Sequence, residues 1–448
     1  MAVSRARIRP SLDGIHRHKV GISNDAVAGY RRSRRLKWVG LFTALLVVLV
    51  LAIITAAYPL APLASLWRPG TYLVLFENDA ELRPSGGFIG SYAVVTVHPN
   101  RTASYQIQTN IYKLDNPFIA EHPITPPAPL QGITDRWSLR DSNWDIDFPT
   151  ASKTIQQFYQ LETGQSVDGV IAVTAKAGKE LLGSIGSVKL SDGTVLANDD
   201  NFYNILAYKV EKEYFVDPAN RTANEPKQLL ANLVPTVARR LLSPINDWRV
   251  SIWLQHMLQT KQILLSFNDN RQSVADQHGW SDRINATSQA YASLNNANLG
   301  GMKSSQYLSQ VVRLDITTVG NVATYAWQLT RTHRGTGVWP DHRNDNLTRI
   351  VMPLGATPAT SLLAGQPVQP TTIEVDAGRT AIGYRIDTVP GTSQQLVAQF
   401  SVPIDPTLSR TFTWQSQPGV SGDMVHVTYN NHVILDGEID HDYQVQLP

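Results

Sequence analysis

The sequence predicts an α/β domain with a mixed sheet, an immunoglobulin-like antiparallel β-sandwich after it, and a single N-terminal transmembrane helix. Three observations predict this arrangement. An uncharged run lies near the N-terminus, strand-like and helix-like segments alternate over residues 71–302, and only short strand-like segments occur over residues 303–448. Alternating strands and helices are typical of α/β layers, whereas short strands separated by turn residues are typical of a sandwich.

Residues 38–58 are the predicted membrane span. The run from Trp38 to Tyr58 holds 21 residues without a charge, and at about 1.5 Å per residue it matches one hydrocarbon core of about 30 Å. The 37 residues before it carry ten lysines and arginines against two acids, whereas the rest of the chain has an excess of acids. Because basic flanks stay inside, we expect a cytoplasmic N-terminus of residues 1–37 in a single-pass protein. A cleaved signal peptide would have a shorter apolar run and a shorter leader, and a buried core helix would not need the basic flank.

Composition and topology restrict the partners. The lipid bilayer is the first expected partner, through residues 38–58, with a stalk at 59–70 and the bulk of the chain outside the cell. The basic cluster of residues 31–37 is explained by this topology, so we expect no nucleic-acid partner. The chain has no cysteine, which excludes disulfide scaffolds, zinc fingers and thiol catalysis, and its eleven histidines show no metal-ligand spacing.

The elements of the α/β domain are predicted from apolar periodicity and turn residues. The clearest helix starts at Pro149, a favourable first-turn residue, and stops at Gly164. A hairpin is predicted around Ser191-Asp192-Gly193. In order, the expected elements are strands 71–76, 88–98 and 104–114, a proline-rich loop 118–132, helix 149–164, strand 167–174, helix 175–186, the hairpin, a mostly helical region 201–260 and strand 262–267.

The first candidate site is the loop between the first two strands. It holds Glu77, Asp79, Glu81 and Arg83, followed by Gly86-Gly87. An arginine beside glycines that let a ligand approach the backbone suits an anion such as phosphate. The alternative is a polar turn in which Arg83 pairs with one of the three acids.

The second candidate site is the loop before the helix at Pro149. Its three carboxylates and two guanidiniums in twelve residues suit Mg²⁺ together with a pyrophosphate. The alternative is a solvated loop whose last acid caps the helix. Lys303 is a further candidate cation, although Met302 separates it from the glycines and so excludes a P-loop. The charged and polar members of this loop are Arg136, Arg140, Asp141, Asn143, Asp145 and Asp147.

Several motifs together resemble the bacterial family called domain of unknown function 4012. They are NDAELRPSGGFIGSY, LRDSNWDIDFPTAS, VDGVIAV, ILLSF, NNANLGGMKSSQY and the late QPG, and they occur in that order from about residue 70 onward. The resemblance implies a bacterial cell-membrane protein anchored by an N-terminal helix. It implies no established activity.

A more distant likeness is to the LytR–CpsA–Psr phosphotransferases, which attach lipid-linked polymers to the cell wall. In that likeness Asp79 and Arg83 match the family's first acid–arginine loop, and Arg140-Asp141 stand for its later Arg-Asp pair. The Ser-Ile-Pro-Arg-Asp run of that family is absent here, where the sequence reads WSLRDSNW.

Two functions follow as hypotheses, and a hydrolase with a carboxylate pair, supported only by the acid-rich loops, is a third. In the first, the exterior part binds a cell-envelope component, either a cell-wall glycan, a lipid-linked precursor or a partner protein. In the alternative, the chain is a phosphotransferase in which Arg83, Arg140 and Lys303 hold a diphosphate and Asp79 or Asp141 binds Mg²⁺. Mg²⁺ is expected only in this alternative. It requires the two arginines and an acid to converge, which the sequence does not determine, and enzyme activity therefore stays open.

Overall fold

The computed structural model describes residues 65–66, 68–100, 102–241, 243 and 247–448, which belong to one compact unit. The basic tail, the predicted span with Trp38 and Tyr58, and most of the predicted stalk lie outside these residues. Within the described part of the chain, every helix is too short or too polar to cross a bilayer.

A mixed five-stranded sheet forms the first half, as the sequence predicts. Its strand order is β3-β2-β1-β4-β7. The central strand β1 runs parallel to β4 and antiparallel to β2, and β4 runs antiparallel to β7. The strands are β1 (Gly70–Asn78), β2 (Phe88–Val97), β3 (Ala103–Gln108), β4 (Gly169–Thr174), the separate hairpin β5 (Val188–Lys189) and β6 (Val195–Leu196), and β7 (Ile263–Phe267).

Helices connect these strands. The predicted helix after the second polar loop is present as α2: the Asp147 carboxylate accepts a hydrogen bond from the Thr150 amide at 3.1 Å, Pro149 lies in the first turn, and Gly164 ends the helix with a φ of 72°. The helices are α1 (Tyr112–Glu121), α2 (Phe148–Thr163), α3 (Ala175–Ile185), α4 (Phe202–Ala207), α5 (Pro218–Ala223), α6 (Gln228–Ala231), α7 (Val234–Leu241), α8 (Asp247–Gln259) and α9 (Arg271–Gln277), with 3-10 turns at Asp79–Glu81, Ala128–Gly132, Leu139–Asp141, Glu213–Val216 and Ser305–Tyr307 and a π-turn at Tyr208–Lys212.

One expected strand is shorter than predicted. The strand expected over 104–114 ends at Gln108, and α1 begins at Tyr112, inside the segment expected to be strand and loop. The side chain of Asn110 accepts a hydrogen bond from the Tyr112 amide at 3.1 Å. This local bond turns the chain away from the sheet and starts the helix.

Both faces of the sheet are covered, because alternate side chains of each strand point to opposite faces. Leu73 and Leu75 of β1 pack with Phe158 of α2 in one core. On the other face, Ile263 and Leu265 of β7 pack with α8 in a second core. The α/β half is therefore a layered structure with its loops at the two ends of the sheet.

The second half is a β-sandwich. A seven-stranded sheet has the order β13-β12-β16-β10-β9-β18-β19, and a six-stranded sheet has the order β14-β15-β11-β8-β17-β20. Trp327 of β10 and Trp414 of β17 meet between the sheets with ring centroids 6.1 Å apart. The strands are β8 (Ser288–Asn298), β9 (Leu308–Val319), β10 (Val322–His333), β11 (Asn346–Pro353), β12 (Thr357–Leu363), β13 (Gln366–Pro367), β14 (Thr372–Asp376), β15 (Arg379–Arg385), β16 (Ser393–Pro403), β17 (Ser409–Gln415), β18 (Asp423–Tyr429), β19 (His432–Ile439) and β20 (Tyr443–Gln446).

The sandwich departs from the prediction in two ways. It is not wholly antiparallel, since β17 runs parallel to β8 and β18 runs parallel to β9. Each of these pairs joins strands that are far apart in sequence, which leaves room for the crossover that a parallel pair needs. The predicted boundary at residue 302 would also leave β8 in the α/β domain, whereas β8 pairs with β11 and β17 inside the six-stranded sheet.

Candidate functional site

The two polar loops meet at one end of the five-stranded sheet. Strands β1 and β4 are parallel and β2 returns from β1. The loop that follows β1 and the start of α3, which follows β4, therefore lie at the same end of the sheet. The amide nitrogen of Asn143 donates to Glu77 Oε1 at 3.0 Å, to Ser85 Oγ at 2.9 Å and to the Gly87 carbonyl at 2.8 Å. A residue of the second loop thus holds the first loop in place.

A chain of ion pairs links the candidate residues. Arg83 Nη2 lies 3.1 Å from Glu81 Oε1 and 3.7 Å from Asp141 Oδ1. Arg140 Nε lies 3.5 Å from the other oxygen of Asp141. Lys303 Nζ lies 3.9 Å from Glu81 Oε2. The structure therefore brings Arg83, Arg140, Asp141 and Lys303 into one cluster, and Arg83 also pairs with an acid of its own loop, as the polar-turn alternative requires.

The inner part of this cluster belongs to the contact between the two halves of the molecule. Arg83 is only 3% exposed, and its guanidinium donates to the Asn298 carbonyl of β8. The Arg83 carbonyl accepts from Gln417 Nε2 at 3.1 Å, and the neighbouring Pro84 carbonyl accepts from Asn295 at 3.1 Å. The Asn-rich strand and the QPG motif therefore clamp the first loop from the sandwich side.

Gly86 and Gly87 are required by packing within the protein. A Cβ on Gly87 would lie 2.4 Å from the carbonyl carbon of Asn78, and a Cβ on Gly419 would lie 2.1 Å from the Gly86 oxygen. Gly86 also has a φ of 137°, a conformation that other residues rarely adopt. The space beside Gly87 is filled by backbone and that beside Gly86 by side chains of the same chain, which accounts for both glycines without a ligand.

Asp79 lies apart from the ion-pair chain. Its carboxylate accepts a hydrogen bond from the Tyr203 hydroxyl at 2.5 Å and one from the Lys176 amide at 3.2 Å. Burial raises the pKa of Asp79 to about 6 despite these bonds. Asp141, the other proposed metal ligand, is enclosed by Arg83 and Arg140.

The donor set does not suit Mg²⁺. Within the described ranges, no three His, Cys, Asp or Glu side chains are grouped so that they could hold a metal ion. An ion at Asp79 would displace Tyr203, and an ion at Asp141 would compete with two guanidiniums. Both carboxylates already have partners that serve the fold.

Some residues of the second loop belong to the cluster, and the others have partners elsewhere. Arg140, Asp141 and Asn143 face the first loop, whereas Asp147 caps α2. Arg136 instead donates to the Ile119 carbonyl at 2.6 Å. The remaining acid, Asp145, accepts a hydrogen bond from Thr154.

A buried carboxylate pair, Asp115 and Glu162, lies beside Arg140. Asp115 Oδ2 accepts from Ser138 Oγ at 2.8 Å and lies 3.5 Å from Arg140 Nη1. Burial and the nearby Asp115 raise the pKa of Glu162 to about 9, and burial also raises that of Asp115. At neutral pH the pair holds a proton, so Arg140 faces less negative charge than the residue count suggests.

The outer part of the cluster is a partly exposed surface with aromatic and cationic side chains. Tyr112 is 44% exposed, and its ring lies 6.3 Å from that of Phe88. The Arg140 guanidinium lies 5.0 Å from the centroid of the Tyr112 ring. We call the residues Phe88, Tyr112, Arg140, Lys227 and Lys303 the cationic rim.

Lys227 is the member of the rim that the sequence did not suggest. A Cβ on Gly90 would lie 2.1 Å from Lys227 Nζ and 4.0 Å from the Phe88 ring, so the ammonium lies over β2 beside Phe88. Burial, followed by repulsion from Lys303, lowers the pKa of Lys227 to about 8. Among the described residues, no side-chain hydrogen bond or ion pair engages this ammonium.

No local pattern could have identified Lys227, because it lies in a helical region remote in sequence from both loops. Tyr112 was hidden in a segment expected to be strand. Asn143 was visible in the second loop, but only the fold shows that it joins the two loops.

Comparison with known proteins supports the first resemblance. A family model described as "Protein of unknown function (DUF4012)" matches residues 68–210. The match includes the five-stranded sheet up to β4 and both polar loops. The likeness to the LytR–CpsA–Psr phosphotransferases is not shown, and no curated protein matches the chain.

Solved structures show only partial similarity. An M1 zinc metallopeptidase from Deinococcus radiodurans is 15% identical, covers 27% of this chain and 31% of its own length, and has a TM-score of 0.19. A putative nutrient binding protein from Legionella pneumophila is 11% identical, with coverages of 32% and 56% and a TM-score of 0.21. The chain thus spans about a third of the length of the metallopeptidase and just over half of the second protein. These similarities carry no argument about activity.

Proposed function

We propose that this chain is a membrane-anchored, extracytoplasmic binding protein whose cationic rim holds the phosphate group of a lipid-linked cell-envelope precursor. One observation carries the proposal. Lys227 presents an ammonium without a hydrogen bond or ion pair among the described residues, near Lys303 and beside the Phe88 ring. An ammonium without a direct ion pair gains from an anion beside it.

The charges of the cluster favour an anion at the rim. Asp141 is shared by Arg83 and Arg140, and Glu81 lies between Arg83 and Lys303. Lys303 also pairs with Glu211 at 2.7 Å. Burial also raises the pKa of Glu81. Lys227 is therefore the cation of the cluster without a direct ion pair among the described residues, and a phosphate at the partly exposed rim can supply one.

The aromatic side chains suit the rest of such a ligand. Phe88 and Tyr112 form an apolar face next to the cations, and Tyr112 is accessible to solvent. A phosphate joined to a prenyl chain or a sugar would place its charge on the lysines and its apolar surface on the rings.

The phosphotransferase is the second candidate, because Arg83, Arg140 and an acid do converge as that function requires. Binding is favoured over transfer for two reasons. Arg83 and Asp141 are buried, and the Asp141 carboxylate is engaged on both oxygens by guanidiniums. The groups that would perform the transfer hold the loops together instead.

Titration calorimetry on the full chain in nanodiscs tests the proposal, with geranyl pyrophosphate and inorganic pyrophosphate as ligands. Removal of a charge-assisted contact costs about 1.5–3 kcal/mol, so Lys227→Met and Lys303→Met are each expected to weaken binding about tenfold or more. Lys209→Met is the matched control, because the Lys209 side chain is 14% exposed and pairs with two acids, as Lys303 does at 15%.

The pH dependence adds a second readout. The pKa of about 8 for Lys227 means that its charge is lost as the pH rises from 7 to 9. Binding should therefore weaken more over this range in the wild-type chain than in Lys227→Met. Equal affinity in all four proteins would contradict the proposal, and steady release of phosphate or transfer of the prenyl group would favour the transferase.

A further inference from the structure

Helix α8 has one buried face and one exposed face. Val250, Trp253 and Leu254 are buried against the five-stranded sheet. On the opposite side, Trp248 is 61% exposed and Ile252 is 58% exposed. Residues four apart lie on the same side of a helix, so these two apolar side chains form one exposed patch.

An arginine side chain borders this patch. The Arg249 guanidinium lies 5.3 Å from the Trp248 ring centroid, and Arg249 is exposed. An exposed tryptophan beside an arginine is typical of membrane–water interfaces.

The chain enters the described structure beside the same helix. Leu66 is buried in the core that contains Val250 and Trp253. The Leu66 carbonyl accepts a hydrogen bond from Arg271 at 3.2 Å, and the Arg68 carbonyl accepts one from the Tyr72 hydroxyl at 2.8 Å. The entry point therefore shares a core with α8, and hydrogen bonds from Arg271 and Tyr72 hold it there.

Chain length limits how far α8 can lie from the predicted span. Tyr58 ends that span, and seven residues lie between it and Leu66. The eight Cα–Cα steps from Tyr58 to Leu66 reach about 28 Å at about 3.5 Å per step when fully extended, and less in any other conformation. With the span in a bilayer, Leu66, which shares a core with α8, is held within this distance of the membrane surface.

We propose that the exposed face of α8, with Trp248, Arg249 and Ile252, rests on the headgroup region of the outer leaflet and binds anionic lipid there. The proposal rests on the predicted anchor and goes beyond the proposed phosphate binding. Two exposed apolar side chains suit a shallow interfacial contact. They are too few for a stable protein interface, which buries about 800 Å² on each partner.

Site-specific labelling of the full chain tests this orientation, because the chain has no cysteine. Ile252→Cys carries an environment-sensitive fluorophore in nanodiscs that contain anionic lipids and a lipid-attached nitroxide quencher. Ile373→Cys is the matched control, since Ile373 lies on β14 of the sandwich and is 57% exposed. Quenching at residue 252 is expected to exceed that at residue 373 at least twofold and to fall when all lipids are zwitterionic.

Three results would overturn the proposal. The first is equal quenching at the two positions. The second is quenching at residue 252 that does not depend on anionic lipid. The third is protection of residue 252 only at high protein density in the bilayer, which would mean that a second copy covers the patch. Pyrophosphate titrations on the same labelled proteins report on the rim separately, so failure of the α8 contact and failure of phosphate binding are distinguishable.

Discussion

The side chain of Glu77 is a buried hydrogen-bonding group that helps to hold the two loops together. It is 2% exposed and accepts hydrogen bonds from Ser85 and Asn143 through one oxygen, while the other oxygen is buried without a partner. Burial raises its pKa to about 8. Glu77 is therefore mostly a neutral acid at pH 7 and acts as a hydrogen-bonding group at the base of the first loop.

Glu77→Gln is expected to stabilise the protein above pH 5. The folded pKa of about 8 lies above the ordinary value of 4.5, so the folded state holds a proton that the unfolded state has lost, and stability falls as the pH rises between these values. Glutamine removes this loss. One pKa unit corresponds to about 1.4 kcal/mol, so the gain at pH 8 is on the order of 2–4 kcal/mol. Thermal unfolding from pH 4 to 9 measures this gain. If the stability of the variant and of the wild type depended on pH in the same way, the pKa of Glu77 would not be raised.

At the level of elements, the turn from β1 to β2 depends on close packing of backbone. Gly87→Ala is expected to lower the free energy of unfolding by about 2 kcal/mol or more, because the added Cβ overlaps the Asn78 backbone. Gly178→Ala is the control. Gly178 lies in α3 with nothing within 4 Å of a built Cβ, so alanine should stabilise by up to about 1 kcal/mol.

Denaturant unfolding of the two glycine variants measures both changes. If Gly87→Ala were as stable as the wild type, the space beside Gly87 would be open. That result would support the prediction that the glycines let a ligand approach the backbone.

The whole molecule depends on contacts between its two halves. Lys261, which connects α8 to β7, is 2% exposed and lies 2.6 Å from Asp282 and 2.9 Å from the Ser416 carbonyl of the sandwich half. Lys261→Met is expected to cost about 3–5 kcal/mol, because it leaves Asp282 buried without a counter-ion. Lys209→Met, which removes an equally paired but more exposed lysine, should cost less than about 1 kcal/mol.

The loss in Lys261→Met should grow with pH. Burial raises the pKa of Asp282 to about 7 even beside the lysine, so folding is opposed as the pH rises from about 4 through 7, and without the cation this opposition is stronger. Thermal unfolding at pH 5 and pH 8 checks this. An equal loss at both pH values would show that Lys261 does not change the pKa of Asp282.

The structural elements that the sequence predicted correctly are those that local residue patterns determine. The capped helix α2, the hairpin around Asp192 and the change from mixed elements to strands alone follow from turn residues and periodicity. The position of β8 could not be predicted, because the sequence of a strand does not show which sheet the strand joins. The parallel pairs of the sandwich depend on crossovers between distant segments, which leave no local signal.

The candidate site was predicted in part for the same reason. Arg83, Arg140, Asp141 and Lys303 were identified by their residue types, and the structure brings them together. Their shared partners could not be inferred, since Asn143 and Lys227 reach the cluster only through the fold. The sequence also could not show that the loops hold the sandwich against the sheet, which explains much of their polarity.

The most direct test of phosphate binding at the rim is an experimental structure of the full chain in a nanodisc with geranyl pyrophosphate. The account predicts phosphate density within hydrogen-bonding distance of both Lys227 Nζ and Lys303 Nζ, with the prenyl chain against Phe88 and Tyr112. Density elsewhere on the molecule, or an unoccupied rim at saturating ligand, would contradict it.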